Sequence, residues 1–155
     1  MITLALTALL GAAPATATTP FKIPPIRLAV PSDWTHTEKE GTHRFSAPSG
    51  EAWLEVDVGQ VQARGMSAET CVQKITAGIG GRFERLLLGG QPAAHAAVVD
   101  VDKKRRQFAS DTWVGCNGRT TWSISAHHVK AKAAALLPVL EQVAASLEYL
   151  EGKGK

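Results

Sequence analysis

The stretch EAWLEVDV, residues 51–58, decides the predicted fold of this chain. Its even-numbered positions are all apolar, whereas the odd-numbered positions after 51 hold Trp53, Glu55 and Asp57. An alternation with a period of two predicts a β-strand with one buried face and one face towards solvent. Strands of this half-buried kind are typical of antiparallel sheets.

Further strands are predicted on both sides of this stretch, from short runs rich in apolar and β-branched residues with turn residues between them. The turn Pro48–Gly50 and the pair Asn117–Gly118 each predict a hairpin. In chain order, the predicted strands are Arg27–Val30, Thr42–Ala47, Ala52–Val58, Phe83–Leu88, Ala94–Val101, Gln107–Val114 and Thr120–His128.

Two segments have helical periodicity. Ser67 is placed to cap a helix over residues 68–79, whose apolar positions recur every three or four residues and which glycines end. A second segment, Ala131–Leu147, has an apolar stripe and is predicted to pack on the sheet. Pro138 predicts a kink in this segment or a helix start near Leu137.

These elements predict a single α+β domain over residues 26–150, built on a mostly antiparallel sheet of about six or seven strands flanked by two helices. Several prolines in residues 18–25 predict an extended entry segment. Residues 151–155, EGKGK, predict a disordered tail. A domain of this size can bury enough surface to fold without a metal or cofactor.

The N-terminus has the pattern of a signal peptide. Residues 1–13, MITLALTALLGAA, are apolar apart from two threonines, and the small residues PATA follow. This pattern predicts a signal peptide over residues 1–17, removed after Ala15 or Ala17. The apolar run is shorter than a membrane-spanning helix needs. We therefore expect a soluble exported protein, periplasmic or extracellular, with no stable membrane insertion.

Cys71 and Cys116 are the two cysteines of the chain. An oxidising compartment lets a disulfide persist, so export predicts that they pair. The alternative is two buried thiols. Their spacing excludes a CxxC redox pair.

The order of the predicted elements resembles the Mog1/PsbP-like α/β/α sandwich. The matching features are VPSDW at residues 30–34, FSAP at residues 45–48 and the closing segment Leu136–Leu147. The resemblance implies a small exported accessory or binding protein without catalytic activity. It carries no functional residue onto this chain, because a shared fold does not assign a function.

Four consecutive bases, Lys103, Lys104, Arg105 and Arg106, occupy the tip of a predicted hairpin. They are a candidate anion-binding site for phosphates, acidic glycans or an anionic membrane surface. The alternative is a solvated turn whose charges keep strand edges from pairing. An acid-rich tract, residues 33–57, and a base-rich tract, residues 64–107, which includes these four bases, cancel, so the net charge of +3 does not indicate a nucleic-acid partner.

Trp53, Glu55 and Asp57 are a candidate interface, because an aromatic ring beside acids on a strand face can bind a carbohydrate or a protein. Glu55 and Asp57 would lie about 7 Å apart on the strand. That separation would suit the paired carboxylates of a glycoside hydrolase. An ordinary polar strand face is the alternative.

The histidines are the best metal candidates, namely the pair His127 and His128 with His95 or His43 as a third ligand. Adjacent residues on a strand point to opposite faces, however, and no usual ligand spacing is present. The sequence also lacks GxSxG, GxGxxG and P-loop motifs. We therefore predict no metal, no cofactor and no catalytic residue.

The sequence as a whole predicts a non-catalytic exported accessory or binding domain that acts through a protein or cell-envelope surface. Its partner would be an unknown protein or envelope component, and its oligomeric state stays open. Two alternatives remain, a small secreted hydrolase with a carboxylate site near Glu55 and Asp57, and a polyanion binder acting through residues 103–106.

Overall fold

The computed structural model describes residues 16–61, 64–98 and 107–150. Seven strands form one antiparallel sheet and three form a second, and two α-helices accompany them. The predicted α+β class with a mostly antiparallel sheet is thus confirmed. The predicted signal peptide up to residue 15, the basic run at residues 103–106 and the tail at residues 151–155 lie outside the described residues.

In chain order the elements are β1 (Thr18–Ile23), β2 (Ile26–Pro31), β3 (Thr35–Lys39), β4 (Thr42–Ser46), β5 (Ala52–Gln60), α1 (Ala68–Ile79), β6 (Glu84–Leu88), β7 (Gln91–Val98), β8 (Phe108–Cys116), β9 (Thr120–Val129), α2 (Ala133–Ala145) and β10 (Glu148–Tyr149). The main sheet has the order β3-β4-β5-β9-β8-β7-β6, and the small sheet has the order β1-β2-β10.

The predicted entry segment, residues 18–25, is extended but it is also part of a sheet. β1 pairs with β2 through a turn at Pro24 and Pro25, and β10 pairs with β2 on the other side. β1 is an edge strand, where Pro20 can be accommodated although it has no N–H to donate. The pairing was not predictable from the segment itself, because proline-rich runs are equally compatible with an unpaired chain.

β3 is a strand that the sequence does not predict. All five residues of its sequence THTEK are exposed and none is apolar, so no alternation marks it. It is held in the sheet by its backbone pairing with β4, from Thr35 opposite Ser46 to Lys39 opposite Thr42.

The buried side chains form two clusters on opposite faces of the main sheet. On the face that we call inner, the sheet packs against the small sheet and α2. The buried side chains on this face form the inner cluster. The larger ones that the main sheet contributes are Phe45, Leu54, Val56, Trp113, Trp122 and Ile124. On the outer face, α1 lies over β7 and β8. There Cys71 and Val72 pack against Ala94, Val114 and Cys116, and these five residues form the outer cluster. The central strand β5 follows its predicted alternation, because Leu54 and Val56 face the inner cluster.

α1 begins and ends where the sequence predicts. The Ser67 hydroxyl accepts a hydrogen bond from the backbone N–H of Thr70 at 3.1 Å, which satisfies one free donor of the first turn. Gly80 follows the helix with φ of 76°, a left-handed backbone conformation that suits glycine. Local signals therefore define both ends of this helix.

Of the two alternatives that Pro138 predicts for α2, the helix start near Leu137 is wrong. Pro138 lies inside the helix, which begins at Ala133 rather than near Leu137. A proline there has no N–H to donate to the carbonyl of Ala134, which weakens the helix locally. The helix continues because Leu140, Val143 and Ala144 are buried in the inner cluster, and this burial outweighs the lost hydrogen bond.

A hydrogen bond joins the small sheet to the core of the main sheet. The indole N–H of Trp122 donates to the Tyr149 hydroxyl, with 2.6 Å between the nitrogen and the oxygen. Burial raises the pKa of Tyr149 above its usual value of about 10, and the hydrogen bond from Trp122 offsets part of that rise.

This pKa predicts a loss of stability at alkaline pH. The folded protein holds the phenolic proton more tightly than the unfolded chain does, so this contribution is complete below pH 10 and declines as the pH rises above 10. Urea unfolding at a series of alkaline pH values should show a steeper decline for the wild type than for Tyr149→Phe. Parallel declines for the two proteins would contradict the prediction.

Candidate functional site

The predicted interface residue Trp53 is largely covered by its own chain. It is 8% exposed, and its ring stacks on His127 with 4.8 Å between ring centroids and meets Phe108 edge-on at 5.1 Å. The guanidinium carbon of Arg44 lies 4.8 Å from the ring centroid. The expectation of an exposed tryptophan on this face is therefore wrong, because neighbouring strands supply side chains that cover it.

The two carboxylates beside Trp53 also have partners within the chain. The Glu55 carboxylate lies 3.2 Å from an Arg44 nitrogen, and the Thr42 hydroxyl donates to the Asp57 carboxylate at 2.5 Å. Arg44 and Thr42 both lie on β4, directly beside β5. A role for Trp53, Glu55 and Asp57 in binding stays a prediction.

The histidines do not converge on one site. His43 lies beside His36, with 3.1 Å between ring nitrogens, whereas His127 is 2.7 Å from the Ser110 hydroxyl on the outer face. His128 is buried, and His95 is bound to Asp111. Within residues 16–61, 64–98 and 107–150, no three His, Cys, Asp or Glu side chains are grouped as metal ligands.

The structure joins Cys71 of α1 to Cys116 at the end of β8, with 6.1 Å between the Cα atoms. Both residues are buried in the outer cluster. The bond thus fastens α1 to the outer face of the sheet.

A groove that the sequence does not reveal lies between β6 and α2 on the inner face. We call it the inner groove, a cavity of about 280 Å³ that includes Glu84, Leu86, His95, Trp113 and Glu141 in its walls. Glu84 comes from β6 and lies opposite His95 of β7, while Glu141 comes from α2. Its walls are therefore partly aromatic and aliphatic and partly charged, because Arg85 lines the groove beside the two glutamates.

His95, which lines the inner groove, is paired with the buried carboxylate of Asp111 behind it. His95 Nε2 is 2.8 Å from Asp111 Oδ1, and the imidazole stacks on the Trp113 ring at 4.7 Å. Asp111 is 5% exposed, so its carboxylate holds the imidazole in one orientation. None of the described side chains lining the cavity carries a hydroxyl or a thiol. The pair lacks the adjacent nucleophile that Ser- or Cys-based catalysis needs.

A second groove lies on the other side of β6, against α1. We call it the outer groove, a cavity of about 240 Å³ with Val72, Leu87, Pro92 and Ala93 in its walls. An ion pair between Glu69 of α1 and Arg85 of β6 crosses it. The two grooves therefore flank one strand, β6.

The sequence does not locate this site, although it contains one signal of it. The run Phe83–Leu88 predicts a strand, but nothing in it says that the strand lies at an edge of the sheet. Asp111 occupies an inward-facing position of β8 two residues before the buried Trp113, and a charged residue at such a position was the available signal.

The arrangement of helices and sheets defines the class of fold. Helices on opposite faces of an antiparallel sheet, with a small second sheet beside one of them, form a PsbP-like α+β sandwich. The resemblance inferred from the sequence is thereby confirmed at the level of fold. None of the helices in the described ranges is long and apolar enough to cross a membrane.

Particular solved structures share this fold. PsbP of the cyanobacterium Synechocystis, CyanoP, matches with a TM-score of 0.63 and 11% identity, over 92% of this chain and 98% of that one. LpqN of Mycobacterium tuberculosis, a protein involved in cell envelope biogenesis, matches with a TM-score of 0.62 and 12% identity, over 87% of this chain and 91% of that one.

A protein of Bacteroides thetaiotaomicron matches with a TM-score of 0.69 and 18% identity over 91% of this chain, which spans about half, 51%, of that protein's length. At these identities the likeness shows the fold alone. No family model matches the sequence, and no curated protein matches it.

Proposed function

We propose that this chain is an exported, non-catalytic accessory domain that acts by binding a protein of the cell envelope. The observation that carries the proposal is β6, which lies at the edge of the main sheet with a groove on each side. A sheet edge between two grooves offers main-chain hydrogen bonds together with side-chain pockets, a combination that many peptide-binding domains use.

Two further observations support binding outside the cytoplasm. The N-terminal sequence has the signal-peptide pattern, and the disulfide between Cys71 and Cys116 suits an oxidising compartment. LpqN, whose fold this chain shares, is involved in cell envelope biogenesis.

The hydrolase alternative has less support. Glu55 and Asp57 are paired with Arg44 and Thr42, and these contacts account for both carboxylates on a strand face without a substrate. Polyanion binding through residues 103–106 stays a prediction, because those residues lie outside the described part of the chain.

The proposed function is tested by affinity capture of the tagged chain from the envelope of the source organism, with an unrelated exported domain carrying the same tag as control. We expect one envelope protein to be enriched with this chain alone. A broad hydrolase screen of the purified protein runs in parallel. Capture of no envelope protein, or a turnover that Glu55→Ala abolishes, would overturn the proposal.

Export and the disulfide can be tested on the same material by intact-mass measurement. We expect the exported protein to lack residues 1–15 or 1–17, and its mass to rise by two hydrogen atoms on reduction. Cleavage after Ala15 would keep the carbonyl of Ala17, which accepts a hydrogen bond from the Ser32 N–H at 2.9 Å. Retention of Met1 would contradict export.

A further inference from the structure

The two edges of the main sheet differ in how they are protected. β3, at one edge, has Glu38 and Lys39 among its five exposed polar residues, and charged side chains discourage pairing with another chain. β6, at the other edge, exposes Leu87, which is 69% exposed. In the described part of the chain, no strand pairs with the free side of β6. Its outward N–H and C=O groups are therefore open to a further strand.

An added strand would place its side chains in both grooves. Successive side chains of a strand point to opposite faces, so residues next to each other would enter the inner and outer grooves in turn. The outer groove has apolar walls from Val72, Leu87 and Pro92. It would accept a small apolar side chain.

The charged groups of the inner groove favour a basic side chain over an acidic one. Glu84 and Glu141 both line it, and neither has an ion-pair partner among the described residues. Arg85 also lines this groove, but its guanidinium is paired with Glu69 across the outer groove. The apolar walls from Leu86 and Trp113 can receive the aliphatic stem of a long basic side chain whose head meets the two carboxylates.

We propose that β6 binds an extended segment of a partner protein by strand addition, with a Lys or Arg side chain in the inner groove and small apolar neighbours in the outer groove. This inference rests on the proposed function as a protein-binding domain and names its site and the chemistry of its partner. The charge complementarity of the inner groove favours a basic peptide over a second copy of this chain. β6 itself has the sequence ERLLL, and its one base, Arg85, points to the outer side.

The probe is a fluorescent nonapeptide, acetyl-Thr-Val-Thr-Val-Lys-Val-Thr-Val-Thr-amide, titrated against the full chain and read by fluorescence anisotropy. We expect it to bind at least tenfold more tightly than the same peptide with Glu in place of Lys. The double variant Glu84→Gln/Glu141→Gln should lose at least tenfold in affinity for the Lys peptide. Both residues are exposed, so the variant should keep its fold.

Matched controls separate this site from general charge attraction. Glu38→Gln/Glu40→Gln removes the same charge at the opposite edge of the sheet, and we expect it to change affinity by less than twofold. Two N-methylated peptides test the main-chain hydrogen bonds, one methylated on the odd-numbered amides and the other on the even-numbered amides. In strand addition only one of these two sets donates hydrogen bonds to β6, and the other set faces solvent. One methylated form should therefore lose binding and the other should keep it.

Several outcomes would overturn the inference. The Lys and Glu peptides could bind equally well, or Glu38→Gln/Glu40→Gln could also lose affinity. The two methylated peptides could bind equally well, or the chain could form dimers that Leu87→Lys dissociates. If neutralising residues 103–106 raises the affinity for the Lys peptide tenfold in the wild type but not in Glu84→Gln/Glu141→Gln, the chain's own basic run occupies the inner groove and the inference is wrong. Envelope capture that survives Glu84→Gln/Glu141→Gln would overturn this site while leaving the proposed function standing.

Discussion

Replacing Cys71 and Cys116 together by alanine is expected to lower the free energy of unfolding by about 4 kcal/mol. The disulfide closes a loop with a sequence separation of 45 residues, and removing it gives the unfolded chain back the entropy that this loop denies it. The loss is a large share of the roughly 5–15 kcal/mol that stabilises an ordinary domain. Urea unfolding of the purified proteins measures it.

The loss of stability in this double variant should be largest at α1. The helix is held to the outer face by a small cluster in which Val72 is its main buried side chain besides Cys71, whereas the inner cluster extends over most of the sheet. Hydrogen exchange should therefore show the amides of α1 opening before those of β5 and β9 in the double variant. Wild-type protein treated with a reductant is the matched control. A change below 1 kcal/mol, or uniform opening of all elements, would contradict the prediction.

Gly115→Ala is expected to destabilise the protein by about 3 kcal/mol, the upper part of the range for overpacking a buried site. A Cβ atom at Gly115 would lie 2.2 Å from the six-membered ring of Trp122, the residue directly opposite on β9. Trp122 is buried and its N–H is bound to Tyr149, so the ring can move only by breaking that hydrogen bond. The urea midpoint and the tryptophan fluorescence should both change.

Gly78→Ala is the control for this substitution. Gly78 lies within α1 with no atom within 4 Å of an added Cβ, so alanine there should raise stability by about 0.5–1 kcal/mol. Combining Gly115→Ala with Trp122→Leu should cost clearly less than the sum of the two single changes, because the smaller side chain relieves the clash. Additive effects would show that the close contact is not the cause.

Parts of the fold that depend on near neighbours in the chain could be predicted from the sequence. The first helix was predicted because Ser67 marks its start and the glycines at 78, 80 and 81 mark its end by local backbone chemistry, although Gly78 lies within the helix. β5 was predicted because its two faces meet environments of opposite polarity. The proline in α2 misled the prediction, because the burial of Leu140 and Val143 is not visible in helix propensity.

The candidate sites were less predictable. Trp53 lies on the same strand face as Glu55 and Asp57, so the pattern predicts that it is exposed. Phe108 and His127, which are more than fifty residues away in sequence, nevertheless cover it. The pair His95 and Asp111 exists only because β7 and β8 are neighbours in the sheet. A single strand's pattern reports how polar its two faces are, but it does not report which side chains the adjacent strands supply.

The sequence by itself determined the class of fold, the position of most strands, both helices and the pairing of the two cysteines. These features follow from alternation, caps and composition, which are local or statistical properties of the sequence. Only the tertiary structure decided that β6 is an edge strand, that grooves lie on both sides of it, and that Glu84 and Glu141 face the same space. The physical reason is that strand order depends on the packing of the whole sheet against two helices. Such packing is set by contacts between residues far apart in the chain, which no local pattern encodes.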